Sequence, residues 1–117
     1  MKGLPSNIDL APFSDSELIQ LCFGMAQVQF HFSNQTSVNV ESAIVVRGPS
    51  GEQRVEDYVQ VAPLLTGLLG NRLLGAVRTE DGGLLLRFEG DRDIRVLNDS
   101  AQFESFQIRI GGQTYVG

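Results

Sequence analysis

His31 is the only histidine in the chain and Cys22 the only cysteine, and these two side chains offer the most chemistry. Together with Glu41 they could supply a cysteine nucleophile, its histidine base and an orienting carboxylate. However, His31 stands between Phe30 and Phe32 in an alternating segment, which turns it outward, and a free cysteine commonly serves as a small apolar side chain. We therefore expect no catalytic residue and no enzyme. A small-ligand or enzymatic pocket near His31 and Glu41 is the alternative.

The sequence lacks the residues that a metal site or a phosphate-binding loop would need. One histidine and one cysteine cannot hold a structural zinc ion. The acidic segment EGDRD (89–93) lacks the closing glutamate of a calcium-binding loop. No glycine-rich segment is followed by the lysine that a phosphate-binding loop requires. We expect no metal and no cofactor.

The charge of the chain restricts its partners. Nine basic and 14 acidic residues give a net charge of −5. A nucleic-acid binder normally carries a basic surface, and an anionic membrane repels an acidic protein, so we expect neither partner. A basic protein would be attracted instead. Residues 1–58 hold three basic and seven acidic side chains, a net charge of −4, and we predict a partner-binding surface formed by Glu41, Glu52, Glu56 and Asp57.

A second candidate surface lies near the end of the acidic segment 89–93. If Phe88 faces Ile94 in a hairpin, Arg87 and Arg95 oppose each other on its outer side, where like charges are unfavourable without a nearby anion. A mixture of leucine and arginine also suits a partner surface. A homodimer or a homo-oligomeric structural protein is therefore a further alternative, with the candidate residues Arg87, Arg95, Leu85 and Leu97.

The elements that must position these residues follow a repeated pattern. FHFSNQTSVNV (30–40) and LRFEGDRDIRV (86–96) share one alternation after a shift of 56 residues, which places Phe32 on Phe88 and, earlier in the chain, Leu18 on Leu74. Alternation with period two is typical of half-buried strands, so each copy predicts a hairpin with a five-residue loop. We predict two strand–hairpin units related by a rough two-fold axis. The alternative is that two unrelated hairpins share only their alternation.

The remaining segments predict one helix and several further strands. VAPLLTGLLG (61–70) has a first-turn proline, an apolar face and a final glycine, which predicts a helix near 61–69. SDSE (14–17) fits a helix cap, so 15–21 is open between helix and strand. One short helix cannot cover a sheet, so we predict a mainly β (α+β) fold with antiparallel sheets in a two-layer or folded-over arrangement. Its core should contain Phe30, Phe32, Val38, Val40, Leu84, Leu86, Phe88, Ile94, Val96 and Ile108.

Length and composition indicate a single domain over residues 1–117, with residues 1–13 loosely ordered. A single cysteine excludes an internal disulfide. The sequence contains neither a signal-peptide pattern nor an apolar stretch long enough to span a membrane. We therefore expect a cytoplasmic protein.

The segments APLLTGLLG (62–70), GLLLRFEGDRDIRV (83–96) and FESFQI (103–108) occur in this order, after FHFSNQTSVNVES (30–42). Together they resemble a family of small bacterial proteins catalogued as domain of unknown function 6188. Phe106 stands where that family more usually has tryptophan. The resemblance covers roughly residues 18–110. It implies a fold and a bacterial origin, and it carries no catalytic residue to this chain.

In size, acidity and lack of a catalytic set the chain also resembles bacterial immunity proteins, which neutralise toxins. Many toxin domains are basic because they act on nucleic acid, so an acidic inhibitor associates faster through electrostatic steering. We therefore expect a non-enzymatic protein-binding module, most concretely an immunity protein that binds a basic toxin domain.

Overall fold

The computed structural model describes residues 3–98 and 106–117. Within them, a 3₁₀ turn (Ala11–Phe13) precedes the strands β1 (Ser16–Phe23), β2 (Val28–Phe32), β3 (Thr36–Val40), β4 (Ile44–Gly48) and β5 (Gly51–Val55). Helix α1 (Ala62–Thr66) leads to β6 (Arg72–Arg78), β7 (Leu84–Phe88), β8 (Arg92–Val96), β9 (Phe106–Ile110) and β10 (Gln113–Val116). The predicted helix is confirmed with shorter bounds, and segment 15–21, which was open, lies mostly in strand β1. In the described parts of the chain no helix is long and apolar enough to cross a membrane.

All ten strands form one antiparallel sheet in the order β10-β9-β3-β2-β1-β6-β7-β8-β4-β5. This order has two-fold symmetry. If each of β1–β5 is exchanged with the strand numbered five higher, so that β1 becomes β6 and β5 becomes β10, the same order is read backwards. The hairpin β4–β5 leaves β3, which precedes it in the chain, and pairs with β8, while β9–β10 pairs with β3. We call β1, β2, β3, β9 and β10 the first half, and β6, β7, β8, β4 and β5 the second half. The mainly β, antiparallel prediction is confirmed.

The register of the hairpins obeys the same two-fold relation. Val28 faces Val40 in β2–β3, and the residues 56 positions later, Leu84 and Val96, face each other in β7–β8. The two halves join where β1 runs antiparallel to β6. A two-fold axis between two antiparallel strands exchanges one for the other. The predicted duplication is therefore present in the sheet topology. Each half also contains a second hairpin that comes from the other copy in the sequence, namely β9–β10 in the first half and β4–β5 in the second half.

The alignment predicted for the leading strands is wrong by one residue. Leu18 faces Phe32 and Leu73 faces Phe88, so Leu18 corresponds to Leu73 and not to Leu74. The register of each leading strand shifts directly after that leucine. Such a bulge places one extra residue in each leading strand, so the two bulges do not change the alignment. The difference arises in the turns, since four residues (24–27) join β1 to β2 and five residues (79–83) join β6 to β7.

The hairpin turns are tighter than the predicted five-residue loops. Leu86, and not Phe88, faces Ile94. Gln35 and Asp91 occupy equivalent places in the two turns, and both have positive φ angles, of 66° and 57°. The pairing within each hairpin is therefore shifted by two residues relative to the prediction. This shift changes the neighbours of every outward side chain.

The inner faces of the two halves share one core. The ring of Phe32, from the first half, lies 6.4 Å from that of Phe88, from the second half, and 5.8 Å from that of Phe13. Burial of these faces against each other explains why the sheet folds over, since one short helix could not cover it. The ten predicted core residues are each at most 3% exposed, namely Phe30, Phe32, Val38, Val40, Leu84, Leu86, Phe88, Ile94, Val96 and Ile108.

Helix α1 and the segment before β1 contribute further buried side chains. Leu65 and Leu68 are buried from the helical segment. Leu4 and Leu10 are buried from the segment for which we expected little order, and the amide of Leu4 donates a hydrogen bond to the carbonyl of Gly82. The first residues described therefore pack against the second half.

Candidate functional site

A groove of about 490 Å³ lies between the β4–β5 hairpin and helix α1. Its lining includes the apolar residues Val46, Pro63 and Leu64 together with the charged residues Glu52 and Arg92. The side chain of Leu64 is 46% exposed although it is large and apolar. An apolar depression with charged residues beside it has the composition of the centre and rim of a protein interface.

Strand β5 borders this groove and forms one edge of the sheet. Its first four residues are exposed and only Val55 is buried. Among the residues that the structure describes, no strand pairs with its outer side. The outward backbone groups of an edge strand can pair with an extended segment of another chain.

The four predicted partner-binding carboxylates are exposed, but they do not form one cluster. Glu52 lies at the groove. Glu41 and Asp57 lie at the opposite end of the β4–β5 hairpin, because the residues that follow them are joined by a hydrogen bond from a tyrosine hydroxyl to a serine carbonyl. Glu56 stands four residues after Glu52, about 14 Å along the strand direction. Its Oε2 accepts a hydrogen bond from Nε of Arg54 at 3.2 Å.

The predicted opposition of Arg87 and Arg95 is wrong. Arg87 faces Asp93, and Arg95 faces Leu85. The tighter hairpin turn causes this difference, because it moves the pairing by two residues. Leu85 and Leu97 are half-buried. Arg87 therefore faces an opposite charge instead of the like charge that had suggested a partner for this surface.

Arg47 extends this alternation across the second half. Its Nη2 lies 2.6 Å from Oδ2 of Asp93 and 3.3 Å from Oδ1 of Asp91. Hydrogen bonding to these two carboxylates, first to Asp93, raises the pKa of the Arg47 guanidinium above its ordinary value. Because Arg87 faces Asp93 and Arg47 faces Glu52, charges alternate in sign across four strands. This outer face largely neutralises itself.

His31 does not join Cys22 and Glu41 in a nucleophilic arrangement. Its Nε2 lies 3.0 Å from Oε1 of Gln29, and its backbone faces Ser37. Glu41 is four residues beyond Ser37, about 14 Å along the strand direction. The half-buried Cys22 faces Gln29. In residues 3–98 and 106–117, no three histidine, cysteine or acidic side chains are grouped to hold a metal ion.

His31 instead lines a shallow depression of about 510 Å³ on the outer face of the first half. The side chains of Gln20, Gln29, Asn39 and Arg109 also line it. Sequence reasoning missed Arg109. The alternation of segment 106–110 could have indicated that this side chain points outward, but its neighbours depend on the pairing of β9 with β3. That pairing joins strands that are far apart in the chain.

One family model matches the chain, over residues 10–116, and its description is a family of unknown function, DUF6188. No curated protein and no solved structure matches the chain significantly. The family resemblance carried by the sequence motifs is therefore confirmed. Residues 103–105 of the motif FESFQI lie outside the described residues.

Proposed function

The chain belongs to the DUF6188 family of unknown function, and we propose that it is a non-enzymatic protein-binding module. The groove between the β4–β5 hairpin and helix α1 carries this proposal, because it leaves Leu64 exposed beside the open edge of β5. An apolar side chain of a partner would fill the groove while the partner backbone pairs with the edge strand. Both interactions favour an extended segment of another protein.

The net charge of the whole protein favours a basic partner, whereas within the groove lining Arg47 and Arg92 balance Glu52 and Asp93. Glu52 lines the groove, and Glu41 and Asp57 stand at the other end of the same hairpin on a protein with a net charge of −5. Exposed charges at the rim of an interface mainly increase the association rate, and salt screens their effect. In its most specific form, the module is a bacterial immunity protein that binds a basic toxin domain and covers the toxin's active site.

Reversing one charge at the groove and one at the other end of the β4–β5 hairpin should slow partner association. We expect the Glu41→Lys/Glu52→Lys variant to associate at least about tenfold more slowly at low salt, with a smaller difference at high salt. The matched control is Glu17→Lys/Glu80→Lys, which makes the same change in net charge at exposed positions elsewhere. Surface plasmon resonance against the protein encoded beside this chain's gene measures both variants. Equal slowing by both would show that net charge, and not this surface, controls association.

Co-expression tests the toxin-neutralising form of the proposal. If the neighbouring gene product is the toxin, this chain should restore growth of the producing cells and co-purify with the toxin. The Leu64→Ala variant should restore growth less well than Leu74→Ala, which removes a similarly exposed leucine outside the groove. Absence of both rescue and co-purification would remove the immunity proposal.

Loss of the histidine or the cysteine should leave partner binding unchanged. Neither His31 nor Cys22 lines the groove, and the described partner of the His31 ring is Gln29 and not Cys22 or Glu41. We expect His31→Ala and Cys22→Ser to bind the partner within about twofold of the unmodified protein, a difference of about 0.4 kcal/mol. If His31→Ala abolished biological activity while circular dichroism showed an intact fold, the non-enzymatic proposal would be wrong.

A further inference from the structure

The outer faces of the two halves place a cation at equivalent positions but give it different neighbours. In the second half, Arg47 faces Asp93 and is held by Asp93 and Asp91. The residue 56 positions before Asp93 is Ser37, and Ser37 faces Arg109. Arg109 is therefore the first-half equivalent of Arg47.

Both carboxylates that hold Arg47 are replaced by uncharged side chains around Arg109. Ser37 stands at the position of Asp93, and Gln35 stands at the turn position of Asp91. In the part of the chain that the structure describes, no ion pair or hydrogen bond engages the guanidinium of Arg109. A guanidinium presents its N–H donors in a fork that fits a carboxylate or a phosphate.

No acidic side chain of residues 3–98 or 106–117 lines the depression beside this guanidinium. Among the residues that the structure describes, His31 and Arg109 are the only ionisable ones that line it, although the chain has 14 aspartates and glutamates. The local field there favours an anion despite the acidic net charge of the protein. Two strand spacings, about 9.6 Å, separate the backbones of these two residues. A small molecule can bridge that span.

One residue that lines the depression, Asn39, has an unsatisfied hydrogen-bond acceptor. Oδ1 of Asn39 is buried and has no hydrogen-bond partner within residues 3–98 and 106–117. A buried carbonyl oxygen without a donor costs free energy, which a ligand hydroxyl would recover when the Asn39 amide turns toward the depression. The amide of Gln20 lines the same depression and can bond a second hydroxyl.

We propose that this depression binds a small hydroxylated molecule carrying one oxyanion, the chemistry of a sugar phosphate or a sugar carboxylate. Arg109 binds the oxyanion through its paired N–H groups, and the hydroxyl of Ser37 lies next to it in the strand register. Asn39 accepts a hydrogen bond from a ligand hydroxyl. This site is on the first half of the sheet, away from the groove proposed for a protein partner, and it does not depend on that proposal.

Titrations followed by NMR test the site with defined probes. Glucose 6-phosphate and glucuronate, at up to about 10 mM, represent the phosphate and carboxylate sources, and glucose and inorganic phosphate are the controls. We expect one of the acidic sugars to shift the amide signals of β3 and β9, and the stronger of the two identifies the oxyanion. Both controls should bind at least about tenfold more weakly.

Three variants locate the binding. Arg109→Gln should weaken the bound acidic sugar at least about tenfold, and Ser37→Asp should do the same by giving Arg109 the carboxylate that holds Arg47. Arg47→Gln, the matched change on the second half, should have no effect. The proposal is overturned if neither acidic sugar shifts these signals, if glucose or phosphate alone binds as well, or if Arg47→Gln weakens binding as much as Arg109→Gln.

Discussion

Replacing Phe88 with alanine is expected to lower the free energy of unfolding by about 3–5 kcal/mol. Phe88 is 2% exposed, and its ring contacts that of Phe32 across the interface between the two halves. The substitution removes apolar surface and leaves a cavity that backbone hydrogen bonds on both sides of β7 prevent from collapsing. This cavity would weaken the contact that holds the sheet folded over.

Urea denaturation of Phe88→Ala, followed by circular dichroism, gives this free energy. Phe23→Ala is the control, because Phe23 is 36% exposed at the end of β1 and should cost much less. Phe32→Ala should match Phe88→Ala, since the two residues occupy equivalent positions. The double variant should cost less than the sum of the two single variants, because the rings share one contact. A loss below about 1 kcal/mol for Phe88→Ala would contradict the central role of this contact.

Replacing Gly83 with alanine is expected to cost about 1–3 kcal/mol. A Cβ atom there would lie 2.5 Å from the carbonyl oxygen of Val96 and 2.9 Å from Oγ1 of Thr79. The carbonyl belongs to the last residue of β8, which is itself paired with the first residue of β7. The backbone cannot rotate away as a flexible side chain would, so β7 and β8 must separate at this end.

Gly112→Ala provides the matched control for this clash. Apart from Gly112 and its two chain neighbours, no atom of the described residues lies within 4 Å of a Cβ built there, and its φ angle is not in the positive range that favours glycine. Its stability should change by no more than about 0.5 kcal/mol. Thermal and urea denaturation of both variants measure the difference. Equal stabilities would mean that β7 and β8 adjust to the added methyl group without cost.

The two halves of the duplicated fold share one core but have different outer surfaces. Inward positions remain apolar in both copies, as Phe32 with Phe88 and Val40 with Val96 illustrate. Outward positions differ, since the second half neutralises its own charges while Arg109 in the first half has lost both equivalent carboxylates. A core restricts residue type by packing, whereas a solvent-facing position is free to acquire a ligand. The two proposed sites therefore lie on surfaces that the fold does not constrain.

Register was the part of the fold that sequence reasoning placed incorrectly. The shift of 56 residues aligned the two hairpins correctly but misaligned Leu18 with Leu74, because the turn after β6 (79–83) is one residue longer than the turn after β1 (24–27). A wrong turn length likewise set Arg87 opposite Arg95, although Arg87 faces Asp93. Turn and bulge conformations change the pairing by one or two residues while leaving the alternation of apolar residues almost intact.

The sequence by itself determined which residues face inward. Alternation with period two fixes the direction of each side chain in a strand, and burial of the apolar set selects the inner face. The ten core residues, the hairpins, the helix and the family therefore followed from local pattern and motif. Only the tertiary structure decided which strands from distant parts of the chain become neighbours. The hairpin β4–β5 crosses to β8 and β9–β10 crosses to β3, and these exchanges bring Arg47 to Asp93 and Arg109 to Ser37. Such pairings depend on how both halves bury one common core, which no local stretch of sequence encodes.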